Sequence, residues 1–250
     1  MKDGFISHVI YDAAINAATD LTVDEVRMGL GYMGVRLSNG AVGLAAVLRH
    51  ELGPGCTVMK EAGTLAGTNA SELMAYLVTG TTPLSRGLGL ATANAIINPG
   101  VIGMEANAFD MTNLTENDTV AMVGYFGPLV GRIKQTGARL VIFEQDERRA
   151  PPISDDDKRH TLSECTVALI TATSILNGTF EGIVDAVGNA RHVVLLGPST
   201  PLVHSILTET PVTQLSGISI DDGEKVMQII SEGGGTLSLK LFVTFINIIR

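Results

Sequence analysis

Val120-Ala121-Met122-Val123-Gly124-Tyr125-Phe126-Gly127-Pro128 reads as a buried strand that passes through a glycine turn into a helix. Proline suits the first helical turn, where no N–H is needed for the helix ladder. A strand of continuous Val, Ala and Met rather than alternating residues belongs in a parallel sheet covered on both faces. In such a sheet, ligands bind in the crevice beyond the strand ends. This stretch therefore predicts an α/β fold and places the site at its open edge.

Downstream the same rhythm repeats. Pro128–Thr136 reads as a helix stopped by Gly137, and Arg139–Glu144 as the second strand. Thr166–Thr171, His192–Gly197 and Val212–Leu215 read as further strands. Helices are expected over Thr179–Val187, over Pro201–Leu207, and from an Asp221/Glu224 cap to Glu232. Leu241–Ile249 fits a last strand or a docking helix equally. Alternating short strands and helices imply a Rossmann-like doubly wound parallel-sheet domain over residues 99–250.

Upstream the pattern differs. Ile6, Val9, Ile10, Ala13, Ala14 and Ala17 fall at helical spacing, predicting a helix over 3–18. Alternation at Val26, Met28 and Leu30, then at Val35 and Leu37, leads to Asn39-Gly40, a strong hairpin signal, and a return strand over Val42–Leu48. Asn69 with Glu72 predicts a helix start, Gly80 its end, and Thr82-Pro83 another helix to about Ile97. Residues 1–98 thus read as a small α+β domain. Gly29-Leu30-Gly31-Tyr32-Met33-Gly34 is a literal GxGxxG, but it lies in strand and turn rather than opening a helix, so it is not a dinucleotide fingerprint.

Composition removes several function classes. A net charge of −9 with no Lys/Arg cluster disfavours a nucleic-acid partner. The longest apolar runs are too short to span a bilayer, and Met1–Asp20 lacks the order of a signal peptide. A cytoplasmic protein is the expectation. Cys56 and Cys165 are too far apart for a CxxC zinc site, and the five histidines show no i,i+4 pair. No Gly-x-Ser-x-Gly elbow is present.

Chemistry is expected at four strand ends. Gly124, Phe126 and Pro128 would shape the crevice floor, although glycines at 124, 127 and 131 do not have nicotinamide-dinucleotide spacing. Glu144, closing the second strand, stands where a ribose hydroxyl pair of NAD or S-adenosylmethionine is held; it also fits a solvated charge cluster with Asp146 to Arg149. Thr171, Asn177 and Thr179 belong to a hydroxyl-rich loop that either caps the next helix or hydrogen-bonds a polar ligand. Gly197, Pro198, Ser199 and Thr200 precede Pro201, and a helix starting there would offer free N–H groups and two hydroxyls to a phosphate or carboxylate. On that reading, Ser199→Ala with Thr200→Val abolishes anion binding and leaves the melting temperature nearly unchanged.

Val123-Gly124-Tyr125-Phe126-Gly127-Pro128-Leu129, the Thr171–Thr179 loop with its Asn-Gly-Thr, and Leu196-Gly197-Pro198-Ser199-Thr200-Pro201-Leu202 together resemble the "putative heavy-metal-chelation" domain family. Ala62-Gly63-x-x-Ala66-Gly67 and Pro83-Leu84-x-Arg86 resemble the small domain usually joined to it. The resemblance implies an enolase N-terminal-like first domain, a Rossmann-like second domain, and a site in the cleft between them. From the first domain, Glu61, Arg86 and Asn94 are the polar residues expected to reach in. The leading expectation is an enzyme acting on a small anionic molecule, such as a metal chelator or its precursor. A non-catalytic metal or metal-complex binder and an enzyme using S-adenosylmethionine or NAD are the alternatives. The metal-ligand residues, the reaction and the extent of any homo-oligomer stay open.

Overall fold

The computed structural model describes residues 1–53, 55, 57–146 and 148–250. Cys56 therefore lies outside the described residues. The chain folds around two sheets. The first is a meander, β1 (Val23–Met28), β2 (Tyr32–Leu37) and β3 (Val42–Ala46), antiparallel throughout. The Asn39-Gly40 hairpin forms as expected: Gly40 takes φ +84°, in the region glycine favours, and its N–H donates to Leu37 O. The rejected GxGxxG is the β1–β2 turn, where Gly29 N donates to Tyr32 O.

Before the meander comes α1 (Phe5–Ala18), and after it come α2 (Ala70–Met74), α3 (Tyr76–Thr79) and α4 (Pro83–Ile97). The single helix expected over residues 70–79 is broken at Ala75 into α2 and α3. Asn69 caps α2 by accepting from Ser71 N, and Thr82 caps α4 in a capping box with Ser85. Helix α4 packs on β2 and β3. Gly43 makes that approach close: a Cβ there would lie 2.2 Å from Ala91 O and Ala95 N.

The second sheet has six strands in the order β5-β4-β6-β7-β8-β9. They are β4 (Thr119–Val123), β5 (Arg139–Phe143), β6 (Val167–Thr171), β7 (His192–Leu196), β8 (Gln214–Ile220) and β9 (Val243–Ile249). The first five are parallel, and β9 runs antiparallel to β8 along its whole length, which decides the open reading of residues 241–249 for a strand. The helices are α5 (Gly127–Gln135), α6 (Asp155–Glu164), α7 (Thr173–Leu176), α8 (Phe180–Ala186), α9 (His204–Glu209), α10 (Gly223–Ser231) and α11 (Thr236–Leu239). Three of these, α6, α7 and α11, have no counterpart in the sequence reading.

One buried core joins the two parts. Ile6 and Ile10 of α1 belong to the same cluster as Ile206 and Leu207 of α9 and Phe180 of α8, and α1 packs on both of those helices. Gly4, ahead of α1, offers no side-chain cap. Glu181 of α8, only 3% exposed, accepts from Ile6 N at 3.0 Å and places a carboxylate at the helix's positive end. At the opposite end of the second sheet, burial raises the cost of the Asp118 carboxylate. Hydrogen bonds from Arg191, Thr166 and Thr115 outweigh that and hold its pKa well below the usual carboxylate range. Among the described residues, no helix is long and apolar enough to cross a membrane.

Candidate functional site

The strand order creates the site. The chain leaves β4 for β5 on one side and returns to β6 on the other, so the crevice opens between the carboxyl ends of β4 and β6. Gly124 and Thr171 face each other there. Gly124 has φ +88°, and a Cβ on it would lie 2.9 Å from both Cβ and Cγ2 of Thr171. Only glycine meets both constraints.

Around this point lies a cleft of about 2010 Å³, walled by both parts of the molecule. Gly124, Phe126, Pro128, Glu144, Thr171, Asn177, Thr179, Gly197, Pro198 and Ser199 all line it. The first part contributes Tyr32 and residues 46–50, and the connecting segment adds residues 105–108. Across the mouth His50 Nε2 meets Gln145 Oε1 at 2.6 Å, tying the two walls together.

Each turn has its own local logic. Helix α5 begins beside Gly124 with Phe126 at its N-cap position and a proline in its first turn. Pro128 removes one of the N–H groups that a pyrophosphate would use, a second departure from the dinucleotide pattern besides glycine spacing. Glu144 follows β5, the neighbour of β4. Its Oε1 accepts from Gln145 N and Asp146 N at 2.7 and 3.2 Å, while Oε2 has no partner among the described residues. The charge cluster is centred on Asp146, gripped by Arg148 through two bonds of 2.7 and 2.8 Å. Those bonds hold its carboxyl down to about 2. Glu144 is tied to that cluster through main-chain N–H groups and makes no ion pair with it among the described residues.

In the third turn Thr171 Oγ1 meets Thr173 Oγ1 at 3.0 Å, and Asn177 Oδ1 accepts from Thr179 N and Oγ1. Thr179 precedes α8 without a side-chain capping bond, so Asn177 organises the loop rather than the helix end. The capping expected for this stretch is replaced by a local asparagine turn, because α7 occupies the residues read as loop.

The fourth turn requires a correction. Helix α9 starts at His204, not Pro201, so its N-terminus does not open directly after Ser199 and Thr200. Both are buried, at 2% and 0% exposure. Ser199 Oγ accepts from Ala46 N at 2.8 Å, tying β3 to the end of β7, and Thr200 Oγ1 is sealed inside without a partner among the described residues. The anion reading of this pair loses its physical basis. Ser199→Ala is now expected to cost about 1–2 kcal/mol by stranding the Ala46 N–H, measurable as a lower urea midpoint with unchanged m.

Of the three residues expected to reach in from the first part, none lines the cleft. Glu61 is exposed on a turn. Asn94 is 2% exposed and donates to Leu44 O at 2.9 Å and Ser199 O at 3.1 Å, which makes it a clamp between the two parts. It borders a separate cavity of about 210 Å³. Arg86 lies just behind the wall, its Nη1 3.5 Å from where a Cβ of Gly178 would be.

Several lining residues had no part in the sequence reading. Gly233, Gly234 and Gly235 form one rim beside Tyr32, whose hydroxyl meets Thr236 Oγ1 at 2.7 Å. Burial pushes the Tyr32 phenol up, against the lowering effect of that bond. The glycine run was a visible signal. So were Thr244 and Asn247, the polar residues interrupting the apolar run of β9; both line the cleft. Asn247 also donates to Met104 O and Ala106 O, fixing the connecting segment as a wall. Among the described residues, no group of three or more His, Cys, Asp and Glu is placed to hold a metal ion.

Comparison with known proteins agrees with this architecture. A crystal structure of a DUF364-family protein of unknown function from Pyrococcus horikoshii superposes with TM-score 0.84 at 21% identity, covering 98% of this chain and 100% of that one. Another, from Desulfitobacterium hafniense, gives 0.81 at 25% identity, covering 96% and 98%. An uncharacterised protein of Methanocaldococcus jannaschii is 25% identical over 168 residues, and the match spans 63% of each chain, less than two thirds of that relative's length. The DUF4213 model matches residues 11–97 and the DUF364 model residues 107–248, both described as "Putative heavy-metal chelation". With its second model covering more than half of the chain, the protein belongs to the DUF364 family.

Proposed function

We propose that the cleft binds a small hydroxylated, anionic molecule and that the protein acts on it as an enzyme, with residues 1–98 and 99–250 serving as the two domains that enclose it. The observation that carries this reading is the large concave cleft at the β4/β6 switch point, lined by Gly124, Glu144, Thr171 and Asn177. Glu144 supports a ligand with paired hydroxyls: it follows the strand next to β4 and keeps Oε2 without a partner among the described residues. Pro128 favours an adenosylmethionine-like ligand over NAD, since it takes one N–H donor from the turn that a pyrophosphate would use.

A second reading, binding of a metal complex, is supported by the description of both matching family models as "Putative heavy-metal chelation". The described residues offer no clustered metal ligands of their own, so a metal would enter already held by an organic chelator.

The chain lacks tryptophan, so Leu48→Trp places a single indole on the cleft wall. A compound that binds there, with S-adenosylmethionine, NAD and a ferric citrate complex as the first probes, is expected to shift or quench its emission. A probe that stabilises the wild-type protein but leaves that emission unmoved binds elsewhere and sinks the cleft reading.

A further inference from the structure

We infer that Arg86, just behind the cleft wall at Gly178, anchors an anionic group of the cleft's ligand, a carboxylate or phosphate at the end of the crevice near Asn177 and Thr179. The inference rests on the cleft reading and moves its anion subsite away from Ser199 and Thr200.

Three features make Arg86 costly in the protein as it stands. Its Nε is buried with no hydrogen-bond partner, and a buried donor left unpaired is destabilising. No carboxylate stands within ion-pair distance of its guanidinium among the described residues. It also lies in the first turn of α4, the positive end of the helix, and that turn contains no acidic residue. One bound anion would relieve all three. Arginine's fixed fork suits a carboxylate or phosphate in particular.

Position points the same way. The guanidinium lies against Gly178, which has φ +70° and no side chain to cover it. The neighbours of Gly178, Asn177 and Thr179, both line the cleft. Arg86 therefore stands directly behind the stretch of wall made by Asn177 and Thr179.

The test uses inorganic phosphate and malonate as probes, with melting temperature as the readout. At about 100 times the dissociation constant, a bound probe is expected to raise the wild-type melting temperature by roughly 5–11 °C. Arg86→Met should weaken that binding by about 10–100-fold, and Arg86→Lys should recover part of it. Without probe, Arg86→Met should melt no lower than the wild type, because it removes an unpaired, half-buried charge; an arginine with a purely structural role would melt lower. Which probe acts identifies the anion. Undiminished binding in Arg86→Met overturns the assignment, and so does a wild type with no saturable response to either probe. Neither result touches the cleft reading, whose indole reporter at position 48 responds to the rest of the ligand.

Discussion

Asn98→Ala is expected to lower stability by about 3–5 kcal/mol, because it leaves several buried backbone groups unpaired at once. Asn98 is 5% exposed, just past the end of α4. Its Nδ2 donates to Thr200 O at 3.1 Å and Ile218 O at 3.3 Å, and its Oδ1 accepts from Leu202 N at 3.0 Å. A single amide thus serves β8 and the segment after β7 from a helix of the other part. Asn94, one turn earlier, repeats the device on Leu44 O and Ser199 O. Equilibrium urea unfolding checks the effect: the midpoint should fall with m unchanged if the parts still unfold together. A loss within about 0.5 kcal/mol, the range of ordinary surface substitutions, would mean the clamp is not what joins them. Asn98→Asp keeps the acceptor but loses the donors and buries a charge, so it should be at least as harmful.

These clamps explain what the sequence showed and what it concealed. The parallel strands were legible because burial on both faces forces continuous apolar runs, as in Val120–Val123 and His192–Leu196. Local caps were legible too, since Asn69 and Thr82 bond within three residues of themselves. The polar contacts between the two parts of the chain were not. Ser199, Thr200 and Asn94 are residue types that serve ligands and buried backbone equally well, and only the distant partner decides between these roles. Ala46 is that partner for Ser199, and Leu44 and Ser199 for Asn94. The Glu181 cap on α1 was hidden for the same reason, its acceptor lying 175 positions from Ile6. Helix α6 escaped because its stretch, Asp155–Glu164, buries only Leu162 and so carries almost no apolar stripe. Conversely, Pro201 suggested a helix start that the chain delays to His204: Pro201, Leu202 and Val203 are themselves buried, and extended backbone takes them into the core.

Gly124 was readable from sequence as a turn glycine, and the structure makes it the residue on which the crevice depends. Gly124→Ala should destabilise the protein by about 2–5 kcal/mol, combining roughly 1–2 kcal/mol for a left-handed backbone with about 1–3 kcal/mol for overpacking. The two contributions are separable. The overpacking comes from Thr171, whose Cβ and Cγ2 would each lie 2.9 Å from the new methyl. In a Thr171→Gly background that contact is gone, so Gly124→Ala should then cost only the backbone part. A double-mutant cycle measured by urea unfolding reads the difference as a coupling energy of about 1–3 kcal/mol. The same substitution tests the site, because the added methyl enters the point where the β4 and β6 turns meet. Ligand-induced emission change at an indole in position 48 should be lost in Gly124→Ala under conditions where the variant remains folded. Full ligand response there, with zero coupling to Thr171, would show that β4 and β6 do not form the floor of the crevice and that the strand-end glycine is only a turn.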